Sequence, residues 1–324
     1  MKKIGICTLY FANNFGAILQ AFALQETLIN MGHEVEFIKI KDVLPKLEEP
    51  NSKEFERSKT YLKVAKEIYN KEKHNYDTIV IGSDELWNFK NGSFEHLDEY
   101  FGYNFNCANI ITYAPSANGT TPEIFKNANG DKITFDNLKS ISVRDKHSQD
   151  LVKALSGRDA TLVLDPTLLV ENFEKYIKYP ENNLKDYIVI YGYNFSDTEI
   201  KKITEFAKAN NKTIYSLGFK KDWCETLNAD IFEFLGYIKN ADYMITNTFH
   251  GTLFSIILEK EFAVFSNHSS KLEDVLTKFD LTDRDAMDKE SLDSILKENI
   301  DYNKVNNLKE KHRSHSLAYL KENI

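Results

Sequence analysis

Short apolar, β-branched runs alternate with amphipathic stretches along most of the chain, the pattern that βα units leave around parallel sheets. The runs predict strands at Lys3 to Leu9, Val35 to Ile40, Thr78 to Ile81, Ile110 to Tyr113, Ser140 to Val143 and Thr161 to Leu164. Helical spacing lies between them at Ala17 to Met31, Lys53 to Lys73 and Lys146 to Leu155. The pattern lapses between Glu171 and Asp186, a polar and aromatic stretch with a proline, which reads as a connection between domains. A second series follows: strand Tyr187 to Gly192, helix Asp197 to Asn210, strand Thr213 to Leu217, helix Ile231 to Lys239, strand Tyr243 to Thr246, helix Gly251 to Leu258 and strand Phe262 to Phe265. The pattern therefore predicts an α/β protein of two Rossmann-like domains, residues 1–170 and 187–300, joined by a linker at 171–186. Residues 301–324 carry a polar helix, Lys304 to Leu320, expected to pack back on the first domain.

Composition fits that division. The 324 residues suit two domains, and 42% apolar with 28% charged residues is ordinary for a globular chain. A net charge of −8 gives nucleic acid no electrostatic support as a partner. The three cysteines are an odd number, far apart and without metal-ligand spacing, which argues for a reducing compartment. No apolar stretch approaches the roughly 18 residues of a membrane span, so a cytoplasmic location is expected. Lys53 to Lys73 carries seven basic and four acidic residues. It reads as a solvated outer helix; the alternative is a basic helix that touches the membrane near a lipid-linked substrate.

Candidate chemistry collects where predicted strands end, since ligands of open α/β sheets bind at the carboxyl ends of strands. After the first strand, Asn14 is a candidate N-cap and Gly16 keeps the turn open, so the following helix presents N–H groups to an anion. After Thr78 to Ile81 come Ser83, Asp84 and Trp87; Asp84 suits sugar hydroxyls and Trp87 a sugar face, unless Asp84 caps a helix and Trp87 is core. Arg144 ends another strand and offers bidentate contact to carboxylate or phosphate, with an ion pair to a neighbour as the plain alternative. Asp165, before Pro166, reads as architectural. His250 stands apart from the other seven histidines, which lie in polar surroundings. It sits in the turn between an apolar strand and an apolar helix, beside Asn247 and Gly251, where an imidazole can exchange a proton with a substrate.

Five segments in this order resemble the polysaccharide pyruvyl transferase family: Ala12-Asn-Asn-Phe-Gly16 through Gln25, Ile81-Gly-Ser-Asp-Glu-Leu-Trp-Asn88, Ser142-Val-Arg-Asp145, Leu164-Asp-Pro-Thr167 and Ile245-Thr-Asn-Thr-Phe-His-Gly251. The resemblance implies a GT-B-like pair of domains facing across a cleft. It also implies transfer of the enolpyruvyl unit of phosphoenolpyruvate, as co-substrate and with no separate cofactor, onto two hydroxyls of a sugar. Arg144 matches the family arginine that holds the donor's phosphate or carboxylate, and His250 the family histidine, read as proton shuttle. The Asn14 to Gly16 helix start completes an anion clamp, and Asp84 and Trp87 hold the acceptor. The chain departs from the family at Thr248, where well-studied members have arginine. No Asp-x-Asp pair argues for a metal. The expected acceptor is a sugar or lipid-linked oligosaccharide of a surface polysaccharide, met at the inner membrane face; the oligomeric state stays open. The competing readings are a GT-B-like glycosyltransferase that uses a nucleotide sugar, and a non-catalytic glycan-binding member of the family.

Overall fold

The structure is a computed structural model that describes residues 1–9, 14–38, 75–90, 97–129 and 132–324. The predicted helix Lys53 to Lys73, residues 10–13 of the first turn and the end of the strand predicted to Ile40 lie outside the described residues. Strand β1 (Lys3–Cys7) leads into helix α1 (Phe15–Asn30), and β2 (Glu34–Phe37), β3 (Thr78–Ile81) and β4 (Ile110–Thr112) complete a parallel sheet of order β2-β1-β3-β4. Helix α2 (Pro122–Asn129) follows. The short parallel pair β5 (Ser142–Val143) and β6 (Thr161–Leu162), with α3 (Lys146–Ser156) between them, extends this half. The strand predicted to Leu164 is regular only to Leu162, although the Val163 N–H still donates to the Val143 carbonyl at 2.9 Å; beyond it, partners are side chains. The Leu164 N–H donates to Ser316 Oγ at 2.9 Å, and its carbonyl accepts from the Tyr113 hydroxyl at 2.9 Å.

The second sheet, also parallel, has the order β11-β10-β7-β8-β9. In chain order it comprises β7 (Tyr187–Tyr191), α4 (Asp197–Ala209), β8 (Thr213–Leu217), the short edge strand β9 (Glu225–Leu227), α5 (Ile231–Asn240), β10 (Tyr243–Thr246), α6 (Phe249–Ile257) and β11 (Glu261–Val264). Helices α7 (Ser270–Lys278), α8 (Asp293–Leu296) and α9 (Tyr302–Asn323) follow. The sequence pattern missed β9, α2, α7 and α8, four short elements with few positions to establish a period. No helix among the described residues is long and apolar enough to cross a membrane.

One apolar core runs through both halves. Phe15, in the first turn of α1, leaves its own sheet and stacks on Phe234 of α5 with ring centroids 4.3 Å apart and planes at 14°. The same ring meets Tyr191 at the end of β7. Helix α9 ties the halves a second time. Its first residue Tyr302 donates to the Ser255 and Lys260 carbonyls of the second half, and near its end the Tyr319 hydroxyl donates to the Thr112 carbonyl of β4 at 3.0 Å. The two sheets are therefore held in one relative placement by apolar packing at one point and by a helical strap at another. Truncation of Phe15 opens a cavity at the first of these. We expect Phe15→Ala to cost about 3–5 kcal/mol of stability, read as a lower urea midpoint, and a loss under about 1 kcal/mol would contradict this packing.

Candidate active site

Both sheets change winding direction next to their central strands. In the first sheet β1 lies between β2 and β3, and in the second β7 lies between β8 and β10. Loops leave such switch points in opposite directions and open a crevice at the carboxyl ends of the strands. Here the two crevices face each other. The loops after β1 and β3 meet those after β7 and β10 around a cavity of about 280 Å³. Its wall includes Asn14, Asp84, Glu85, Arg144, Tyr193 and His250.

Arg144 and His250 line the cavity, and Asp165 is buried behind them. The Arg144 side chain is 1% exposed, with Nη1 2.8 Å from Asp165 Oδ2 and Nη2 3.3 Å from Asp84 Oδ1. Its guanidinium also lies over the Phe249 ring, 4.5 Å from the centroid. Burial works against the guanidinium's charge, but Asp165 and Asp84 outweigh it and raise its pKa. Asp165 is equally enclosed and accepts from Thr167 through both the backbone N–H and the hydroxyl. Burial alone would raise its carboxyl; the opposing contributions of His250, Arg144 and Thr167 hold it well below the usual carboxylate range. His250 Nε2 is 3.6 Å from Asp165 Oδ2, which is ion-pair distance for an imidazolium but too long for a hydrogen bond. That nitrogen is buried and has no hydrogen-bond partner among the described residues.

The local sequence explains how His250 arrives there. Thr248 caps α6, its hydroxyl accepting from the Gly251 N–H at 3.0 Å, so the helix begins at Phe249 and His250 lies within its first turn. The helix thus begins two residues before the expected start at Gly251, because a threonine hydroxyl closes the turn. On the other side of the ring stands Gly16. A Cβ there would lie 2.3 Å from His250 Nδ1, so only glycine lets α1 approach the imidazole.

The other predicted residues divide. Asp84 lines the cavity, paired with Arg144. Asn14 caps α1, with Oδ1 accepting from the Gly16 and Ala17 N–H groups, and reaches across to the Tyr191 and Tyr193 hydroxyls. The expected anion clamp at this helix start is therefore corrected: its first N–H groups already donate to Asn14. Asn247 lines the cavity, but its amide is engaged at both ends, accepting from the Tyr193 N–H and donating to the Asn194 carbonyl. It joins the β7 and β10 loops. Three assignments to substrate binding give way to packing. Trp87 is fully buried, stacked near Phe101 and donating through Nε1 to the Tyr100 carbonyl, so it offers no face to a sugar. Ser83 is also fully buried, its hydroxyl 3.4 Å from Asp165 Oδ2. A Cβ on Gly251 would fall 2.1 Å from Thr246 Oγ1, so this glycine serves the close approach of α6 to β10. Arg144 lies where the sequence puts it, with both terminal nitrogens committed to carboxylates.

Sequence reasoning missed Glu85, Asn118, Tyr193, Ser269 and Lys271, which share the cavity. Glu85 adjoins Asp84, and Lys271 begins the helix after β11, so position at a strand's carboxyl end was the available signal for both. Asp165 was read as architecture; it is the carboxylate that joins Arg144 to His250. Among the described residues no group of three His, Cys, Asp or Glu side chains is placed to hold a metal ion. The arrangement sets an imidazole beside a buried carboxylate at the wall of a small cavity.

A family model described as polysaccharide pyruvyl transferase matches residues 14–269 of this chain. No curated protein sequence matches it. Among solved structures, an alpha-glucosyltransferase in complex with UDP and a DNA 13-mer superposes with a TM-score of 0.52 at 10% identity, covering 99% of this chain and 98% of its own. A UDP-GlcNAc 2-epimerase from Neisseria meningitidis, bound to UDP-GlcNAc, gives 0.50 at 8% identity over 98% and 94%. At such identity these likenesses establish the fold, a GT-B-type arrangement of two Rossmann-like units.

The Asp165 carboxylate has a direct consequence for stability. Its folded pKa lies below the unfolded value of about 3.9, so its contribution is complete above that value and falls as pH drops toward the folded one. We expect Asp165→Asn, which leaves Arg144 with one weaker partner, to lose about 3–5 kcal/mol at neutral pH. Urea unfolding from pH 7 to pH 3 should show the gap from wild type narrowing below about pH 4, and a gap constant over that range would contradict the assignment.

Proposed function

The chain belongs to the polysaccharide pyruvyl transferase family and is a transferase; on that premise we propose that it moves the enolpyruvyl group of phosphoenolpyruvate onto two hydroxyls of a sugar in a surface-polysaccharide precursor. The observation that supports this most is His250, which lines a cavity shared by both halves and has the buried Asp165 carboxylate behind it. The reaction begins with a proton delivered to the methylene carbon of the donor, which leaves an oxocarbenium-like centre at C2. A sugar hydroxyl attacks C2 and releases its proton. The bond from C2 to the phosphate oxygen then breaks, inorganic phosphate departs, and a second hydroxyl attacks and loses its proton to close the ketal. His250 supplies the first proton, the proton of the first hydroxyl leaves on the departing phosphate, and His250 regains one from the second hydroxyl. Asp165 stabilises the imidazolium that exists before the first of those events and is restored by the second, a positioning role exerted through His250.

Asp84 and the Tyr193 hydroxyl stand at the cavity wall where acceptor hydroxyls enter. Burial, then the charges of Asp84 and Glu85, push the Tyr193 hydroxyl's pKa up, so at neutral pH it remains a hydrogen-bond donor. A nucleotide sugar is the competing donor. A cavity of about 280 Å³ is at the small end of ligand sites, commonly about 300–1,000 Å³, and favours a compact donor. The acceptor we infer is a lipid-linked sugar met at the inner face of the membrane.

Calorimetric titration with phosphoenolpyruvate, UDP and GDP separates the donors. Binding of phosphoenolpyruvate is expected, and tight nucleotide binding without it would overturn the proposal. His250→Gln should fold like wild type and lose about 10²–10⁴-fold in kcat, the usual contribution of a general acid. Full transfer activity in that variant would remove the proton role.

A further inference from the structure

Phosphate recognition needs a cation or free N–H groups, and the two features of this cleft best suited by sequence are already occupied. Arg144 is enclosed, with both terminal nitrogens on carboxylates. The first N–H groups of α1 donate to Asn14. Among the described residues, Lys271 is the remaining lysine or arginine of the cavity wall. It projects from the first turn of α7 in the second half and pairs with Glu85 of the first half, and its side chain keeps 20% exposure. Glu85 does not depend on that pair. It accepts from Asn88 Nδ2 at 2.7 Å and from Asn118 Nδ2 at 2.8 Å, so it stays hydrogen-bonded when the lysine turns away. The lysine, by contrast, is a point charge on a flexible stem with three donors, and it can exchange one anion for another.

The start of α7 adds to this. Ser269, its N-cap, makes no side-chain cap and lines the same cavity, so its hydroxyl is available to a ligand. Two buried nitrogens of the wall, Arg144 Nε and His250 Nε2, likewise have no hydrogen-bond partner among the described residues. Helix α7 is nine residues long and brings the positive end of its dipole to the site.

We propose that Lys271, with Ser269 at the start of α7, is the phosphate-binding subsite of the cleft, and that Lys271 exchanges Glu85 for the phosphate monoester of the donor. The subsite takes a phosphate group; that the group belongs to phosphoenolpyruvate rests on the function proposed above. The same lysine then neutralises the departing phosphate as the C2–O bond breaks.

Calorimetry with inorganic phosphate and with phosphoenolpyruvate tests the assignment on the full chain, with circular dichroism and melting temperature as folding controls. Wild type should bind both. Lys271→Met should weaken both by about ten- to a hundredfold, the range for a lost charge-assisted contact, and Lys271→Arg should restore most of the affinity. Glu85→Gln should tighten phosphate binding, because it frees the lysine and removes a repelling charge; weaker binding there would mean that the ion pair only organises the loop, and would overturn the subsite. Should wild type bind phosphoenolpyruvate and Lys271→Met bind it equally, the subsite falls and the donor stands. Phosphate binding lost in Lys271→Met, in a wild type indifferent to phosphoenolpyruvate, keeps the subsite and rejects the donor. A wild type that binds neither rejects both. If Lys271→Met fails to fold, Lys271→Arg and Glu85→Gln decide.

Discussion

The contact between Arg144 and Asp165 is the constraint around which the rest of this molecule is arranged. Both side chains are 1% exposed, and enclosing two charges costs several kcal/mol per ion unless each meets an opposite charge and further hydrogen bonds. Thr167 supplies two of those bonds to the carboxylate, and Asp84 supplies the guanidinium with a second acceptor. What remains is a carboxylate strongly biased toward its ionised form and directed at His250. The histidine comes from the other sheet, so the electrostatic design is complete only when the two halves are in register.

That register is not left to the polar residues. Phe15 inserts the first turn of α1 into the core of the second half, and Gly16, next in sequence, receives the face of the imidazole. Apolar packing thus fixes the backbone one residue away from the Gly16–His250 contact. Helix α9 performs the same service on the far side of the sheets, running from Lys260 of one half to Thr112 of the other. A cleft whose walls are strapped at two points positions its groups in advance, so little is lost to reorganisation when charge develops in the reaction.

The larger part of this fold was legible because buried parallel strands write themselves as apolar, β-branched runs: β3, β8 and β10 fall on the predicted residues. The strand ends were less so. β6 is short, its edge capped by Ser316, some 150 residues away, which takes the Leu164 N–H, and no local pattern contains that. In the site, His250, Arg144 and Asp84 were legible because they stand at the carboxyl ends of strands. Trp87 was misjudged for a physical reason: an indole suits a sugar face and a core equally, and its neighbours Phe101 and Phe135 lie too far along the chain to be recognised as its packing partners. Lys271 was missed because its place beyond a strand's carboxyl end is a weak signal for a lysine in a chain with 41 basic residues until Glu85 is seen opposite it.

Thr248 connects these observations. Where the family resemblance expects an arginine, this chain has a hydroxyl that accepts from Gly251 and lies 3.0 Å from the Thr246 hydroxyl, which itself donates to the Tyr191 carbonyl. An arginine has no acceptor to offer and cannot cap α6 in this way. The substitution therefore exchanges a cation for a tighter first turn, and that turn is what sets the height of His250 above Asp165. A cleft that gives up one cation on α6 and still takes an anionic donor needs another nearby, on an element that does not also have to aim the histidine. Helix α7 meets that condition: it begins at the end of the next strand, β11, carries Lys271 into the same cavity, and leaves the α6 turn to its geometric task.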